Sequence, residues 1–325
     1  MSRTSVWGLD PATYQRHSLH HESRAWVEKN CYVDVWLEVL HAAKLDPTPA
    51  LAFTLASDFD GEQWTFYKPA HTDLHALFGV GVQELNAWKP LLEHTLFHAR
   101  QGRLIMTEAD SFYLPDTQGT DYRTQHVKST IAIEMVDVEK QQLGYFHNAS
   151  YWVMEGEDYV KTLRLDTPAD AGALPLFAEL VRFDRAMHLP DSELLLRSTA
   201  QLKTWLARRP TSNPLRRLGQ YFADQLELIR SRGLPYYHGF AFSTMRQLGS
   251  GYELSAEYLR WLERLNPKGY EAAARGFEEI SNATKTLVLK GARAANSKKP
   301  VDFTPVFEEM AVHWDVAMST LDSLT

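Results

Sequence analysis

The chain has 325 residues, of which 44% are hydrophobic and 23% charged, a composition typical of a globular protein with one large domain or two ordinary ones. The net charge of −7 argues against a dedicated nucleic-acid binder, which needs basic side chains to neutralise phosphates. The single cysteine excludes an internal disulfide and a multi-cysteine zinc site. No apolar run approaches the ~20 residues that span a bilayer, and the N-terminus lacks a secretory core. We therefore expect a cytoplasmic protein that does not contact a membrane.

The first 25 residues predict an irregular arm that contains three histidines, His17, His20 and His21. A metal site is one interpretation of this cluster. However, no further ligand stands at a confirming spacing. We expect a solvated or locally hydrogen-bonded cluster and no metal ion.

The next stretch predicts a buried helix that begins at the only cysteine. Asn30 is a good N-cap residue, so Cys31 takes the first helical position. There the positive end of the helix favours thiolate over thiol. Asp34, Glu38 and His41 form one narrow polar stripe, and almost everything else is apolar. A helix with so thin a polar face is mostly buried.

The chain then alternates between predicted strands and helices up to about residue 167. Two prolines, Pro47 and Pro49, end the first helix. Strands are predicted at Ala50–Ala56, Gln63–Tyr67, Arg103–Asp110, Val127–Val136 and Leu143–Phe146. Helices are predicted at His71–Phe78 and at about Trp88–Gln101.

Strand signals vanish after about residue 167, and helical periodicity replaces them. The predicted helices are Asp191–Ala207, Pro214–Ser231, Phe240–Leu265, Gly269–Ala294 and Thr304–Leu321. The sequence therefore predicts an α+β protein with an N-terminal half, residues 1–167, that contains an antiparallel sheet. An all-α half, residues 168–325, follows it.

Three residues of the N-terminal half stand in the chain order of a papain-like catalytic site: Cys31 at a helix start, His126 at a strand start and Asn148 at the end of the next strand. The cysteine would act as nucleophile and the histidine as general base and acid. The amide would hold the imidazole in the required tautomer. Each residue also has a simpler interpretation, since a lone cysteine is often a small buried hydrophobe and Asn148 could be a turn residue.

Four stretches, Trp26–His41, Asp58–Lys68, Glu108–Pro115 and Gly144–Ser150, resemble a family of uncharacterised bacterial proteins. That family is similar to the side-chain acyltransferases of butirosin biosynthesis. Those are papain-like enzymes that pass an acyl group from a carrier-protein thioester to an amine. The resemblance implies a papain-like domain with a central cysteine-bearing helix.

The resemblance also implies roles for individual residues. Cys31 would be the nucleophile, His126 the general base and acid, and Asn148 the orienting group. Asp110 would bind the amine of an aminoacyl group or of the acceptor, and Tyr113 would line the same pocket. Alternatively, Asp110 caps its own loop and Tyr113 only packs.

One feature departs from the papain-like pattern: the stretch before the cysteine, Ser23–Glu28, contains no glutamine to stabilise an oxyanion. The backbone N–H of Cys31 would need a second donor, for which Asn30 is the candidate. This weakens the peptidase interpretation, because an amide needs more activation than a thioester.

We therefore expect an acyltransferase, with an aminoacyl group as the favoured cargo and a small acceptor. Its donor would be the phosphopantetheine arm of an acyl or aminoacyl carrier protein, and no other cofactor is expected. The alternatives are a cysteine amidase or peptidase and a non-catalytic binding module on the same fold. Basic residues that could dock an acidic carrier protein, or could simply be solvated, are Arg208, Arg209, Arg216, Arg217, Lys285, Lys290, Arg293, Lys298 and Lys299.

Overall fold

The computed structural model describes residues 3–167, 172, 174–297 and 300–324. The chain forms two compact units, the first from Met1–Pro47 and His71–His188, the second from Thr48–Ala70 and Leu189–Thr325. The first unit contains an antiparallel sheet and the second is helical, so the predicted α+β organisation is confirmed at this level. The predicted boundary at 167/168 lies ahead of a strand that belongs to the sheet.

Within the described residues, the sheet of the first unit has seven strands, all paired antiparallel. They are β1 Arg3–Ser5, β2 Gly81–Glu84, β3 Arg103–Asp110, β4 Lys128–Asp137, β5 Gln142–His147, β6 Ser150–Glu155 and β7 Ala178–Arg182. The order across the sheet is β2-β7-β3-β4-β5-β6, and β1 pairs with the far end of β4.

Four helices of the first unit accompany the sheet: α1 Cys31–Ala42, α2 His71–Phe78, α3 Leu91–Ala99 and α4 Glu157–Thr162. One face of the sheet buries Ile131, Ile133 and Tyr145 in an apolar cluster, and Tyr159 of α4 packs there. Side chains alternate along a strand, so Ala132 points to the opposite face. Phe146 on β5 is paired with Ala132 and shares that opposite face.

The strand predictions succeed where the strands are long and buried. Strand β3 has the predicted bounds, and β4 and β5 differ from prediction by one residue at each end. The sequence missed β1, β2, β6 and β7, and β1 lies in the stretch predicted as an irregular arm. Strand β7 contains Glu179, and two of the four residues of β2 are exposed, so neither shows a clear apolar pattern. The prediction that strands end at residue 167 was therefore wrong.

The strand predicted at Ala50–Ala56 was also wrong, because Thr48–Ala56 is a run of 3₁₀-helix. Seven of its nine residues are buried, and a fully apolar run has no periodicity that separates a strand from a buried helix. The stretch Gln63–Tyr67 forms only an isolated bridge, between Trp64 and Phe59.

Four of the described helices of the second unit lie within three residues of their predicted bounds, whereas a helix at Leu234–Ala241 was not predicted. The helices of this unit are α5 Asp191–Leu206, α6 Pro214–Arg232, α7 Leu234–Ala241, α8 Gln247–Leu265, α9 Tyr270–Ala295 and α10 Thr304–Leu324. The predicted single helix Phe240–Leu265 is interrupted by a π-helical turn at Phe242–Arg246. No described helix combines the length and the apolar character needed to cross a membrane.

A substitution at Gly144 on β5 would test how closely the sheet is packed. A Cβ at this position would meet the hydroxyl of Tyr151 and the Cβ of Met135. Because both neighbours are buried and cannot move away, we expect Gly144→Ala to lower the free energy of unfolding by roughly 1–3 kcal/mol. Urea unfolding should show this loss, whereas Gly119→Ala, whose added Cβ meets nothing within 4 Å, reports only the backbone strain of a positive φ.

Candidate active site

The cysteine lies at the start of α1, as predicted. Asn30 caps this helix, because its side-chain oxygen accepts a hydrogen bond from the N–H of Val33 at 3.2 Å. Asp34 in turn accepts a hydrogen bond from the backbone N–H of Asn30 at 3.2 Å. Asn30 is buried, while Cys31 is partly exposed at the mouth of the helix. The side-chain oxygen of Asn30 thus serves the helix, and its role at an oxyanion stays a prediction.

Tyr32 fixes the first turn of α1 to the sheet. Its hydroxyl lies 2.8 Å from Glu179 Oε2 on β7 and 2.9 Å from Nε2 of His71. Burial, reinforced by the charge of Glu179, raises the pKa of Tyr32, so the hydroxyl keeps the proton that it donates. Glu179 is paired with Met106 on β3, which is paired with Ala132, so the cysteine-bearing end of α1 is anchored to the Ala132 face.

The structure brings His126 and Asp110 together. Asp110 Oδ2 lies 2.6 Å from His126 Nδ1, and Asp110 Oδ1 accepts the N–H of Phe112 at 3.1 Å. Phe112 stacks on the imidazole with ring centroids 4.3 Å apart. A carboxylate on Nδ1 assigns the proton to that nitrogen and leaves Nε2 free to accept one. Asp110 therefore caps its loop and also orients His126.

This pair lies in a cavity of about 240 Å³. Its lining includes Glu108, Asp110, His126, Lys128, Arg164 and Leu176. Glu108 and Lys128 form an ion pair of 2.9 Å, and Asp110 pairs with Lys128 across the strands, so these side chains share the Ala132 face. Tyr113 lies beside the cavity, with its ring 6.2 Å from the His126 ring. Two carboxylates, Glu108 and Asp110, and two cations, Lys128 and Arg164, therefore line the cavity.

Asn148 lies elsewhere, at the tip of the β5–β6 hairpin. It adopts a left-handed conformation with φ of 49°, which suits a turn residue. The β4–β5 ladder ends at Ala132↔Phe146, and its register continues to bring Asn148 level with Thr130. That position is four residues from His126, or roughly 13 Å along an extended strand. The contact predicted for Asn148 is made by Asp110 instead.

Cys31 is not hydrogen-bonded to the pair. Among the described residues, its thiol forms no hydrogen bond, either to His126 or to any other side chain. The structure thus brings two of the predicted site residues, Asp110 and His126, into contact. The start of α1, which bears Cys31, is anchored to the same face of the sheet.

The sequence interpretation missed a buried network beside the site. His147 Nδ1 lies 2.5 Å from Asp116, and its Nε2 lies 2.6 Å from Ser129 Oγ, which is the connectivity of a serine-hydrolase triad. Ser129 is only 7% exposed, and the cavity is lined by its neighbours rather than by Ser129 itself. We interpret the network as a brace that joins the loop after Asp110 to β4 and β5.

A second buried network lies under α1. His20 was expected in a solvated or locally hydrogen-bonded cluster; it is instead buried, with Nδ1 2.5 Å from Glu38 and Nε2 3.1 Å from Asp34 of α1. Burial lowers its pKa, but the two carboxylates outweigh burial and raise the pKa to about 9. The polar stripe of α1 therefore faces the protein interior, where Asp34 and Glu38 pair with the imidazolium of His20. No group of three or more possible metal ligands occurs among the described residues.

Comparisons with known proteins give a family for both halves of the chain. Residues 15–183 match the DUF1839 N-terminal domain, and residues 191–323 match the DUF1839 C-terminal domain. The chain belongs to the DUF1839 family. A search of curated proteins finds no match. The DUF1839 matches assign no activity, and the similarity to butirosin acyltransferases stays a prediction.

Proposed function

We propose that this DUF1839 protein is a cysteine-dependent acyltransferase on a papain-like domain, with an aminoacyl group on a carrier protein as its donor. Cys31 would form the acyl-enzyme, and a small amine would accept the acyl group. The observation on which this rests is the 2.6 Å contact between His126 and Asp110 inside a cavity. An imidazole whose Nδ1 is held by a carboxylate and whose Nε2 is free can act as a general base.

The proposed reaction has two steps. His126 Nε2 takes the thiol proton of Cys31, and the sulfur attacks the thioester carbonyl. The bond to the phosphopantetheine sulfur breaks, and that thiol leaves with the proton from His126. An amine then attacks the acyl-cysteine, gives its proton to His126, and Cys31 regains a proton as the new amide forms.

The size of the cavity favours a small acyl cargo. Glu108 and Asp110 line a volume of about 240 Å³, which is small compared with the ~300–1,000 Å³ of pockets for drug-sized ligands. A cavity of this size suits the acyl part of a small amino acid. The ammonium group of such a cargo would be recognised by the carboxylate of Glu108, in competition with Lys128.

The proposal requires a movement that brings Cys31 and His126 into contact. The side chain of His126 is 65% exposed, so it has room to shift towards Cys31 once substrate binds while Asp110 keeps its contact with Nδ1. Catalytic hydrogen bonds are often long in unliganded structures and tighten when substrate is bound. The anchoring of α1 through Tyr32 makes His126, rather than the helix, the part that moves.

Intact-mass measurement tests the acyl-enzyme. We expect wild type mixed with an aminoacylated carrier protein, or with the same aminoacyl N-acetylcysteamine thioester, to gain the mass of one aminoacyl group on Cys31. Cys31→Ala should gain none and should form no product with an added amine. If Cys31→Ala retains activity while His126→Gln has lost it, the imidazole acts directly on the acceptor and the acyl-enzyme is ruled out. Release of free acid without any amine would instead identify a hydrolase.

A further inference from the structure

Several basic residues that the sequence suggested for carrier-protein docking are neutralised within the second unit. Arg209, Arg216 and Arg217 form ion pairs with carboxylates of that unit, and Lys298 and Lys299 lie outside the described residues. A side chain already held by a carboxylate offers little to an acidic partner. The docking surface therefore stays a prediction.

Arg164 in the first unit has no such partner. Its Nη1 donates to the backbone oxygen of Leu174 at 3.0 Å, and no carboxylate of the described residues forms an ion pair with it. A guanidinium has five N–H donors, so most of those of Arg164 stay available to a ligand. Because Arg164 lines the cavity around His126 and Asp110, that ligand would lie beside the proposed general base.

The other charged side chains of the cavity are already engaged. Glu108 pairs with Lys128 at 2.9 Å, and Asp110 holds the ring of His126 at 2.6 Å. Within the part of the chain that the structure describes, Arg164 is therefore the charged group of the lining whose hydrogen bonds are mostly unmade. Its planar guanidinium can bind a carboxylate through two parallel hydrogen bonds.

The backbone of Arg164 adopts the left-handed conformation, with φ of 53°. The residue follows α4, and the N–H groups of Arg164 and Leu165 close that helix by donating to the carbonyl oxygens of Lys161 and Val160. Glycine is the usual residue at this position of a helix end, because a Cβ is strained there. Strained residues cluster at binding sites, so an arginine at this position points to a role for its side chain.

The cavity is lined from both faces of the sheet. Glu108 lies on the Ala132 face, whereas Leu163, the residue before Arg164, packs in the apolar cluster of the opposite face. His126 shares the lining with both charged side chains. One ligand can therefore approach His126 from the side of Glu108 and a second from the side of Arg164.

We propose that Arg164 binds the carboxylate of the acceptor, so that the acceptor is an α-amino acid. The inference rests on the proposed function for the identity of the donor. In a small aminoacyl thioester such as a glycyl or alanyl one, the α-carboxyl group forms the thioester itself, so the acyl group brings no carboxylate to Arg164. The phosphate of the phosphopantetheine is also remote, because the whole arm separates it from the thioester. The acceptor is therefore the substrate that carries the anion.

The transfer step then has a defined direction of approach. The acceptor places its carboxylate on Arg164 and its amine near Nε2 of His126. The amine, as the free base, attacks the carbonyl carbon of the acyl-cysteine, so that a C–N bond forms and the C–S bond to Cys31 breaks. His126 takes the proton from the nitrogen and returns it to the sulfur. The product is a dipeptide.

Transfer to glycine and to glycinamide tests this inference, because the two amines differ in the carboxylate. With an alanyl N-acetylcysteamine thioester as donor, we expect wild type to show a KM for glycine about tenfold or more below that for glycinamide, since the amide loses a charge-assisted pair of hydrogen bonds. Arg164→Gly should raise the KM for glycine by the same factor and leave the KM for glycinamide unchanged.

Lys44→Gly is the matched control. Lys44 is also a cation with a left-handed backbone, with φ of 62°, and it closes α1 with the same two backbone hydrogen bonds, but it does not line the cavity. Glycine suits both backbones, so each variant should unfold at a urea concentration close to that of wild type or above it. A change in KM therefore cannot reflect unfolding, and it should occur in Arg164→Gly alone.

Saturation-transfer NMR with glycine needs no acyl donor, so it separates this inference from the transferase. Glycine should receive saturation from wild type and from Lys44→Gly but not from Arg164→Gly. Equal KM values for glycine and glycinamide in wild type, or an unchanged KM for glycine in Arg164→Gly, would overturn the assignment. Slower acylation of Cys31 in Arg164→Gly would place the anion on the donor and overturn it as well. Glycine binding that depends on Arg164, in a protein whose Cys31 is never acylated, would support the site and refute only the transferase.

Discussion

The free energy of unfolding is expected to fall by about 3 kcal/mol between pH 6.5 and pH 9, and His20→Gln should remove most of this dependence. The reason is the buried network under α1. His20 lies between Glu38 and Asp34, and Tyr14 donates a further hydrogen bond to Glu38 at 2.5 Å. The carboxylates raise the pKa of His20 from 6.5 to about 9, and a difference of one pH unit corresponds to ~1.36 kcal/mol.

The direction follows from proton binding. The folded protein holds the His20 proton more tightly than the unfolded chain, so the stabilisation is complete below pH 6.5. It is lost as the pH rises through about 9. His17 acts in the opposite direction, because burial and the neighbouring His41 lower its pKa to about 4. Its contribution is present above pH 6.5 and is lost as the pH falls towards 4, so these two residues together place maximum stability near pH 6.5.

Urea unfolding at a series of pH values measures the effect. At pH 6.5 His20→Gln should also cost roughly 3 kcal/mol, because Asp34 and Glu38 are left buried without a cation. His21→Gln is the matched control: the side chain of His21 is exposed and, among the described residues, hydrogen-bonds to Ser23 alone, so the stability profile of this variant should follow wild type. Parallel pH profiles for wild type and His20→Gln would show that His20 is not charged in the folded protein.

The same network shows why the sequence described α1 correctly and still misjudged its surroundings. Local chemistry placed the helix start, because an Asn30 cap needs only neighbouring residues. The polar stripe of Asp34 and Glu38 had no predicted partner, because His20 comes from an arm without periodicity. A residue's burial depends on tertiary contacts that no local pattern contains.

The candidate site shows the same division. The sequence selected both Asp110 and His126, and the buried strand β3 that ends at Asp110 was predicted with its correct bounds. The error was in the pairing of residues, since chain order favoured Asn148 as the orienting group. Register decides the outcome: Asp110 lies at the end of β3 opposite Lys128, two residues from His126. Strand pairing depends on contacts between distant segments, so it could not be read from the order of residues.

Asp110→Asn is expected to reduce kcat for acyl transfer by about 10²-fold or more while the protein remains folded. An asparagine retains the oxygen that caps Phe112, but its amide would donate to Nδ1 of His126. The imidazole proton would then move to Nε2, and the histidine could no longer accept a proton there. His126→Gln should lose about 10²–10⁴-fold, the usual contribution of general acid–base catalysis.

Asn148→Ala is the matched control for the competing assignment. It lies at a hairpin tip, distant from His126 along the strand, so kcat should remain within about threefold of wild type. Rates of aminoacyl transfer from the N-acetylcysteamine thioester should be measured for all three variants, with unfolding midpoints to verify the fold. A large loss in Asn148→Ala with near-normal Asp110→Asn would return the orienting role to the amide. A histidine that acts as a base needs Nδ1 held by a partner and Nε2 free to accept a proton. The rates of these variants therefore identify the side chain that holds Nδ1 of His126 during the reaction.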